Sequence, residues 1–240
     1  MNRNAYAGMN IEHLIKNSIV DHPSIIKKLQ EKFNIEGAFS NTSGGGIYGD
    51  KSDVRVNFAC GRYIDVNIKG FKDNVGFNQL TRTTVSHFCD IFKLNNNDKI
   101  ELENLVISKS KNKDKFLFSN EDNSKWESFF TKNAKQIVKW GFSKNTSREI
   151  LVLYNRTTSI VKIYAMKDIL NNISTDVVFT KGGVNIGDCI SFQRKGGNGS
   201  LSKHIPKNTI QHPGNNVQLK LKVNRFIIEM EDILLGEYII

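Results

Sequence analysis

With 240 residues, 39% of them apolar, and 15 phenylalanines, the chain is long enough to bury one well-packed core without splitting into separate domains. A formal net charge of +10 favours a polyanionic partner, nucleic acid above all, and makes the position of the charge the feature to follow. No apolar run approaches a membrane span and MNRNAYAGMNIEHL has no apolar signal core, so a soluble cytoplasmic protein is expected; Cys60, Cys89 and Cys189 suggest buried small residues rather than a disulfide framework, and the five histidines lack zinc spacing.

Ile11, Leu14, Ile15 and Ile19 recur at helical spacing until Asp21-His22-Pro23, where proline stops the helix. A second amphipathic helix is predicted from Ser24 to Phe33. Residues 40–50, rich in Ser, Asn, Thr and Gly, read as a loop. The segment GGGIYGDKS runs on into a strand with an aspartate before Lys51-Ser52, which argues against a nucleotide-phosphate loop.

Val54, Val56 and Phe58 alternate with Asp53, Arg55 and Asn57, the period of a half-buried strand. After a turn at Cys60-Gly61, a partner strand runs from Tyr63 to Lys69, with Asp65, Asn67 and Lys69 on one face and Ile64, Val66 and Ile68 on the other. Phe77, Leu80, Thr84, Phe88 and Ile91 suggest a helix that leaves Asn78, Gln79, Arg82 and Ser86 off its apolar stripe. A helix between solvated loops is expected within residues 93–123.

Ser124-Lys125-Trp126-Glu127 reads as a capping box opening a helix whose aromatic stripe belongs to the core and which ends at Gly141. Strands are predicted at Glu149–Tyr154, Ile160–Ala165, Val177–Thr180 and Cys189–Gln193, with a short helix near Lys167–Asn171 and a last strand at Val217–Val223. Gln193, Arg194 and Lys195 lead into the glycine-rich turn that begins at Gly196, which places forked and amide donors where backbone can approach a groove.

The chemistry implied by the first strand pair is phosphodiester hydrolysis. Tight antiparallel pairing can bring Asp53, Asn67 and Lys69 within side-chain reach of one another. A carboxylate-held Mg²⁺ with a lysine beside it stabilises charge and aims a water.

The segments KSDVRV, DVNIKG, GFNQLTR and SFQRKGGNGS resemble type II restriction endonucleases of the PD-(D/E)xK superfamily, in particular the small four-base cutters of the HinP (GCGC) and MspI (CCGG) types. The resemblance covers residues 43–90 and 185–200 well, the N-terminal helix loosely and the middle of the chain hardly at all. It implies an α/β fold with a mixed central β-sheet flanked by helices, in one endonuclease domain over 1–240. Residues 1–95 would carry the N-terminal helices, catalytic strands and helix, and 96–240 a helical insert and C-terminal strands with the DNA-reading turn.

By position, the resemblance makes Asp53 the metal-binding acid and Lys69 the lysine that orients the attacking water. Asn67 stands where the superfamily usually has Glu or Asp, and a neutral amide is the weaker ligand; Glu12, from the N-terminal helix, is the acid that compensates as a second metal ligand. Phe77 would enter the base stack, Asn78, Gln79 and Arg82 would touch DNA beside it, and Gln193, Arg194, Lys195 and Gly196 would contact the major groove or phosphates. The expected activity is Mg²⁺-dependent cleavage of double-stranded DNA at a short palindromic site, by a monomer or weak homodimer. A structure-selective repair or junction nuclease and a catalytically inactive DNA-binding module are the alternatives.

Overall fold

The computed structural model describes residues 3–44, 52–73, 78–119, 123–143, 145–197 and 204–240. The chain forms two compact units, the first from residues 1–78, 143–173 and 227–240, the second from 79–142 and 174–226.

The first unit opens with helices α1 (Arg3–Val20) and α2 (Pro23–Phe33). Pro23 sits at the start of α2, where its missing N–H costs nothing, and Asn34 closes the helix in a left-handed conformation. Strands β1 (Phe39–Gly44), β2 (Val54–Phe58) and β3 (Tyr63–Phe71) follow. The stretch read as a loop thus begins as an edge strand: β1 pairs antiparallel with β2, and Asn41 and Ser43 accept from the Asn57 side-chain amide. Residues 45–51 lie outside the described residues.

Strands β5 (Glu149–Asn155) and β6 (Ile160–Ala165), helix α6 (Met166–Asn172) and strand β11 (Leu234–Ile239) complete this unit, its sheet running β1-β2-β3-β5-β6-β11 among the described residues. Among the described residues of this sheet only β3 and β5 pair in parallel, which makes the sheet mixed and places β3 in its interior. Helices α1 and α2 cover one face: Ile15, Ile19 and Leu29 pack with Val54, Val56, Ile64, Val66, Ile150 and Val152. The expected mixed α/β sheet flanked by helices is therefore present.

The second unit carries β4 (Asn78–Thr83), whose first residue belongs to the first unit, and α3 (Val85–Ile91), α4 (Asn96–Lys111) and α5 (Asn123–Phe142). Strands β7 (Val177–Thr180), β8 (Gly183–Ile186), β9 (Ile190–Arg194) and β10 (Val217–Leu221) complete a sheet ordered β4-β10-β9-β8-β7, and α7 (Val223–Glu229) leads back to β11. Its core is aromatic, with Phe88, Phe130 and Phe192 packed ring to ring beneath Trp126 and Phe118.

Several expected boundaries shift. The single helix read through Phe77–Ile91 is a strand followed by a helix: Thr84 takes extended backbone angles and its hydroxyl accepts from His87 N–H, so it caps α3 instead of lying within a longer helix. Helix α5 already includes Asn123, so Ser124 lies inside its first turn, and it runs past Gly141 to Phe142. Gly141 serves close packing, because a side chain there would bring Cβ within 2.8 Å of Leu219. Cys60 is exposed, unlike Cys89 and Cys189. The strands β8 and β11 and the helix α7 were not expected.

Candidate active site

Strand β3 has β2 on one side and β5 on the other, so even its polar residues are enclosed: Asp65 is 5% exposed and Asn67 7%. The β2–β3 register pairs Arg55 with Asp65 and ends at Val54 with Val66, and Asp53 immediately precedes β2. Two contacts hold Asp53 there. Its N–H donates to the Val66 carbonyl (2.9 Å), and its Oδ2 accepts from the Ile68 N–H (2.6 Å), a charge-assisted bond that fixes the carboxylate. Lys69 follows Asn67 by two residues and shares its face of the strand.

Helix α1 supplies a second acid. It passes so close to β3 that a Cβ on Gly70 would lie 2.3 Å from Ile11 Cδ1, and this contact delivers the next residue, Glu12, to the electrostatic neighbourhood of Asp53 and Lys69. Burial raises the Glu12 pKa above the ordinary carboxylate value, the negative charge of Asp53 raises it further, and Lys69 opposes both. Burial lowers the Lys69 pKa, against the pull of Asp53 and Glu12. The groove beside them, about 390 Å³, is lined by Met9, Asn10, Glu12, His13, Lys16, Gly44 and Asp53.

These donors suit a hard cation. Among the described residues no three His, Cys, Asp or Glu side chains gather as a metal cage. Mg²⁺ keeps several waters and needs only one or two carboxylates, so Asp53 and Glu12 fit it, with the Asn67 amide as a neutral neighbour. Asp65 is committed elsewhere: its carboxylate accepts from Arg55 Nε (2.8 Å) and Arg148 Nε (3.2 Å).

The second unit gathers most of the other candidate residues. Strand β9 carries Gln193 and Arg194 into a turn where Gly196 and Gly197 take φ of 66° and 72°, a region that favours glycine. Burial lowers the pKa of Arg194; that of Lys195 is lowered by burial first, then by the charges of Arg82 and Arg194, so the three cations share one neighbourhood. Gln79 and Arg82 are exposed on β4. Asn78 instead donates to the Gly70 carbonyl (2.9 Å) in the first unit, and Phe77 lies outside the described residues.

Two residues absent from the sequence-based expectation support this cluster. Asn215, 1% exposed, accepts from Arg194 Nε through Oδ1 (2.8 Å) and donates through Nδ2 to the Lys207 (2.9 Å) and Thr209 (2.5 Å) carbonyls. With both ends of its amide engaged, it fixes the guanidinium plane. His212 Nδ1 accepts from Gly214 N–H (3.0 Å) and shapes the turn that presents Asn215; burial, then Arg194, Lys207 and Lys195, lower its pKa. The HPGN run signals a turn, but nothing local reveals that the turn braces an arginine from another strand.

Neither a protein-family model nor a curated protein sequence matches the chain. Its fold is similar to the crystal structure of the restriction endonuclease MspI in complex with its cognate DNA, with a TM-score of 0.51 and 15% identity over 82% of this chain and 77% of that one. The chain therefore has a restriction-endonuclease-like fold.

Proposed function

We propose that this protein is a type II site-specific deoxyribonuclease, hydrolysing double-stranded DNA with Mg²⁺ at a short palindromic site of four base pairs. The observation that supports the reading is the Asp53 carboxylate held by the backbone N–H of Ile68, between Asn67 and Lys69, with Lys69 and Glu12 within its electrostatic reach.

Asp53 and Glu12 would hold the cation, which supplies a Lewis acid for the non-bridging oxygens and the leaving group. Lys69 orients the attacking water and offsets negative charge as it develops at the phosphorus. Its lowered pKa reduces the free energy needed to give up a proton in an enclosed site. Asn67 positions by hydrogen bonding rather than by charge. Hydrolysis leaves 5′-phosphate and 3′-hydroxyl ends.

Recognition would rest on the second unit. Arg194 suits the O6/N7 edge of guanine, Gln193 suits adenine, and Lys195 and Arg82 suit phosphates. The glycine turn after Lys195 lets backbone approach the groove. Partners are duplex DNA and, at most, a second copy of the chain on the same site; the cytoplasm is the proposed location.

Digestion of unmethylated DNA of varied sequence with purified protein and Mg²⁺ tests this reading. Discrete fragments sharing one terminal sequence are expected. Cleavage confined to branched or mismatched DNA would replace it with a repair or junction nuclease, and tight binding without cleavage in any divalent metal would replace it with an inactive DNA-binding module, the reading that Asn67 favours.

A further inference from the structure

The end of α4 and the loop after it carry lysines at positions 109, 111, 113 and 115, and the groove-reading cluster uses none of them. Lys109 is half-buried, and its ammonium meets three backbone carbonyls: Lys113 (2.9 Å), Lys115 (2.5 Å) and Lys181 (3.0 Å). An ammonium has three donors, so all of them are engaged. The first two carbonyls lie in the loop after α4 and the third in the turn between β7 and β8, so one side chain ties the two segments together. Asn112 folds the loop from within, its Oδ1 accepting from the Asp114 N–H at 2.9 Å.

The tie crowds like charges. Lys113, Lys115 and Lys181 are exposed, and Lys115 donates to the Ser108 hydroxyl (2.9 Å), a neutral partner that leaves its charge uncancelled. Lys181 pairs with Asp114 (2.9 Å), and its hydrogen bond and charge lower the Asp114 pKa, with Lys109 and Lys113 adding to the effect. Among the described residues Asp114 is the carboxylate that forms an ion pair with any of the four lysines 109, 113, 115 and 181. Both side chains of that pair are open to water, at 53% and 89% exposure, so solvent screens it and a phosphate can compete for the ammonium.

Position supplies the ligand. In the second sheet Gly183 of β8 pairs with Gln193 of β9, so the turn holding Lys181 lies at the same end of the sheet as Arg194 and Lys195. The charge of Arg194 reaches Lys109, whose pKa is lowered by burial first and then by Lys181, with Arg194 adding and Asp114 opposing. A duplex whose groove edge meets Arg194 carries its flanking backbone over the neighbouring turn, with a phosphate about every 3.4 Å along each strand.

We propose that Lys113, Lys115 and Lys181, set in place by Lys109, form a phosphate-binding surface for the DNA that flanks the recognition site. This inference rests on the nuclease reading and extends its DNA footprint beyond the bases that are read. The surface is blind to sequence, because ammonium groups on backbone phosphates carry no base information. Lys109 is a positioning residue here, with its donors spent on backbone carbonyls.

The test is equilibrium binding of synthetic duplexes to the full-length chain without divalent metal, over a series of salt concentrations, with melting temperature followed in parallel. One duplex carries the site found by digestion between long flanks, a second has the flanks without the site, and a third is the site trimmed of its flanks. The combined variant Lys113→Gln, Lys115→Gln, Lys181→Gln is expected to weaken binding of both flanked duplexes by about tenfold to a hundredfold. It should reduce the slope of log affinity against log salt by about two to three and leave the affinity ratio between the two unchanged. Binding of the trimmed duplex should match that of the unaltered protein. Arginine at the same three positions keeps the charge and should keep the slope. Lys113→Gln alone should take about one from the slope, which keeps the test decisive if the combined variant does not fold. Unchanged affinity and slope in the folded variants would overturn the surface and leave metal-dependent cleavage by the unaltered protein standing. An equal loss on trimmed and flanked duplexes would also overturn it, by placing the lysines at the site itself. Failure of the unaltered protein to bind duplex DNA would remove both the surface and the nuclease reading.

Discussion

The two sheets hold their charge in different ways. In the first, charged groups stand on or beside the interior strand β3, enclosed by neighbours: Asp53 is fixed by the Ile68 N–H, and burial displaces the pKa of both Lys69 and Glu12. In the second, cations cluster at the end of β9 and in its turn, and a buried amide, Asn215, braces the leading arginine. The contrast separates two demands. Bond breaking requires few groups in a low-dielectric setting where proton affinities can be tuned, whereas groove reading requires donors that project from a rigid support.

Substitutions can sharpen or break that division. The largest effect is expected at Lys69: Lys69→Ala should lower the single-turnover cleavage rate by about 10³-fold with duplex affinity little changed. A comparable loss of affinity would mean that the first unit binds as much as it reacts. Arg194→Ala should cost about 1–3 kcal/mol in discrimination between cognate and altered duplexes, read by competition binding, with cleavage of bound cognate DNA retained.

Glu12→Gln should raise the Mg²⁺ concentration for half-saturation about tenfold, measured by calorimetry. Only the ionised carboxylate binds the cation, and the Glu12 pKa is raised; Mg²⁺ affinity should thus weaken as pH falls from above the ordinary carboxylate range into it, a trend Glu12→Gln should flatten. Asn215→Ala removes a brace rather than a reader. It should reduce discrimination by about 1 kcal/mol, less than loss of Arg194 itself.

The smallest effect concerns His212. Its folded pKa lies below the ordinary imidazole value of 6.5, so as pH falls through that value the unfolded chain takes up a proton before the native protein does. Native stability therefore declines as pH falls from about 6.5 towards the lower folded pKa, and is fully present above that window. His212→Asn, which keeps a short acceptor for Gly214 N–H, should flatten the dependence of melting temperature on pH; an unchanged slope would locate the titration elsewhere.

Much of the first unit was legible because its signals are local. Alternation through Asp53–Phe58 and Tyr63–Lys69 identifies both strands and the face shared by Asn67 and Lys69, and proline at position 23 divides the front helices. The elements missed depend on distant partners. Strand β11 exists because it pairs with β6, more than sixty residues earlier in the chain, and β4 because it joins β10. The helical spacing through Phe77, Leu80 and Thr84 misleads because Thr84 recurs in the pattern as a cap, not as an apolar contact.

The candidate site divides along the same line. Asp53 comes beside Ile68 and Lys69 through a hairpin that the sequence nearly dictates, whereas Asn215 reaches Arg194 across twenty-one residues and Arg148 reaches Asp65 across eighty-three. Gly70 is intermediate. A glycine in a strand marks a close approach, but only the fold reveals that the approaching group is Ile11 and that Glu12 comes with it.

The central claim, that the β2–β3 face is where DNA is cut, is tested most directly at Asp53. Binding and Mg²⁺-dependent cleavage of one end-labelled cognate duplex should be measured side by side for the unaltered protein and Asp53→Ala. The expected result is retained duplex binding with cleavage lost; an Asp53→Ala protein that cuts at the unaltered rate would contradict the account.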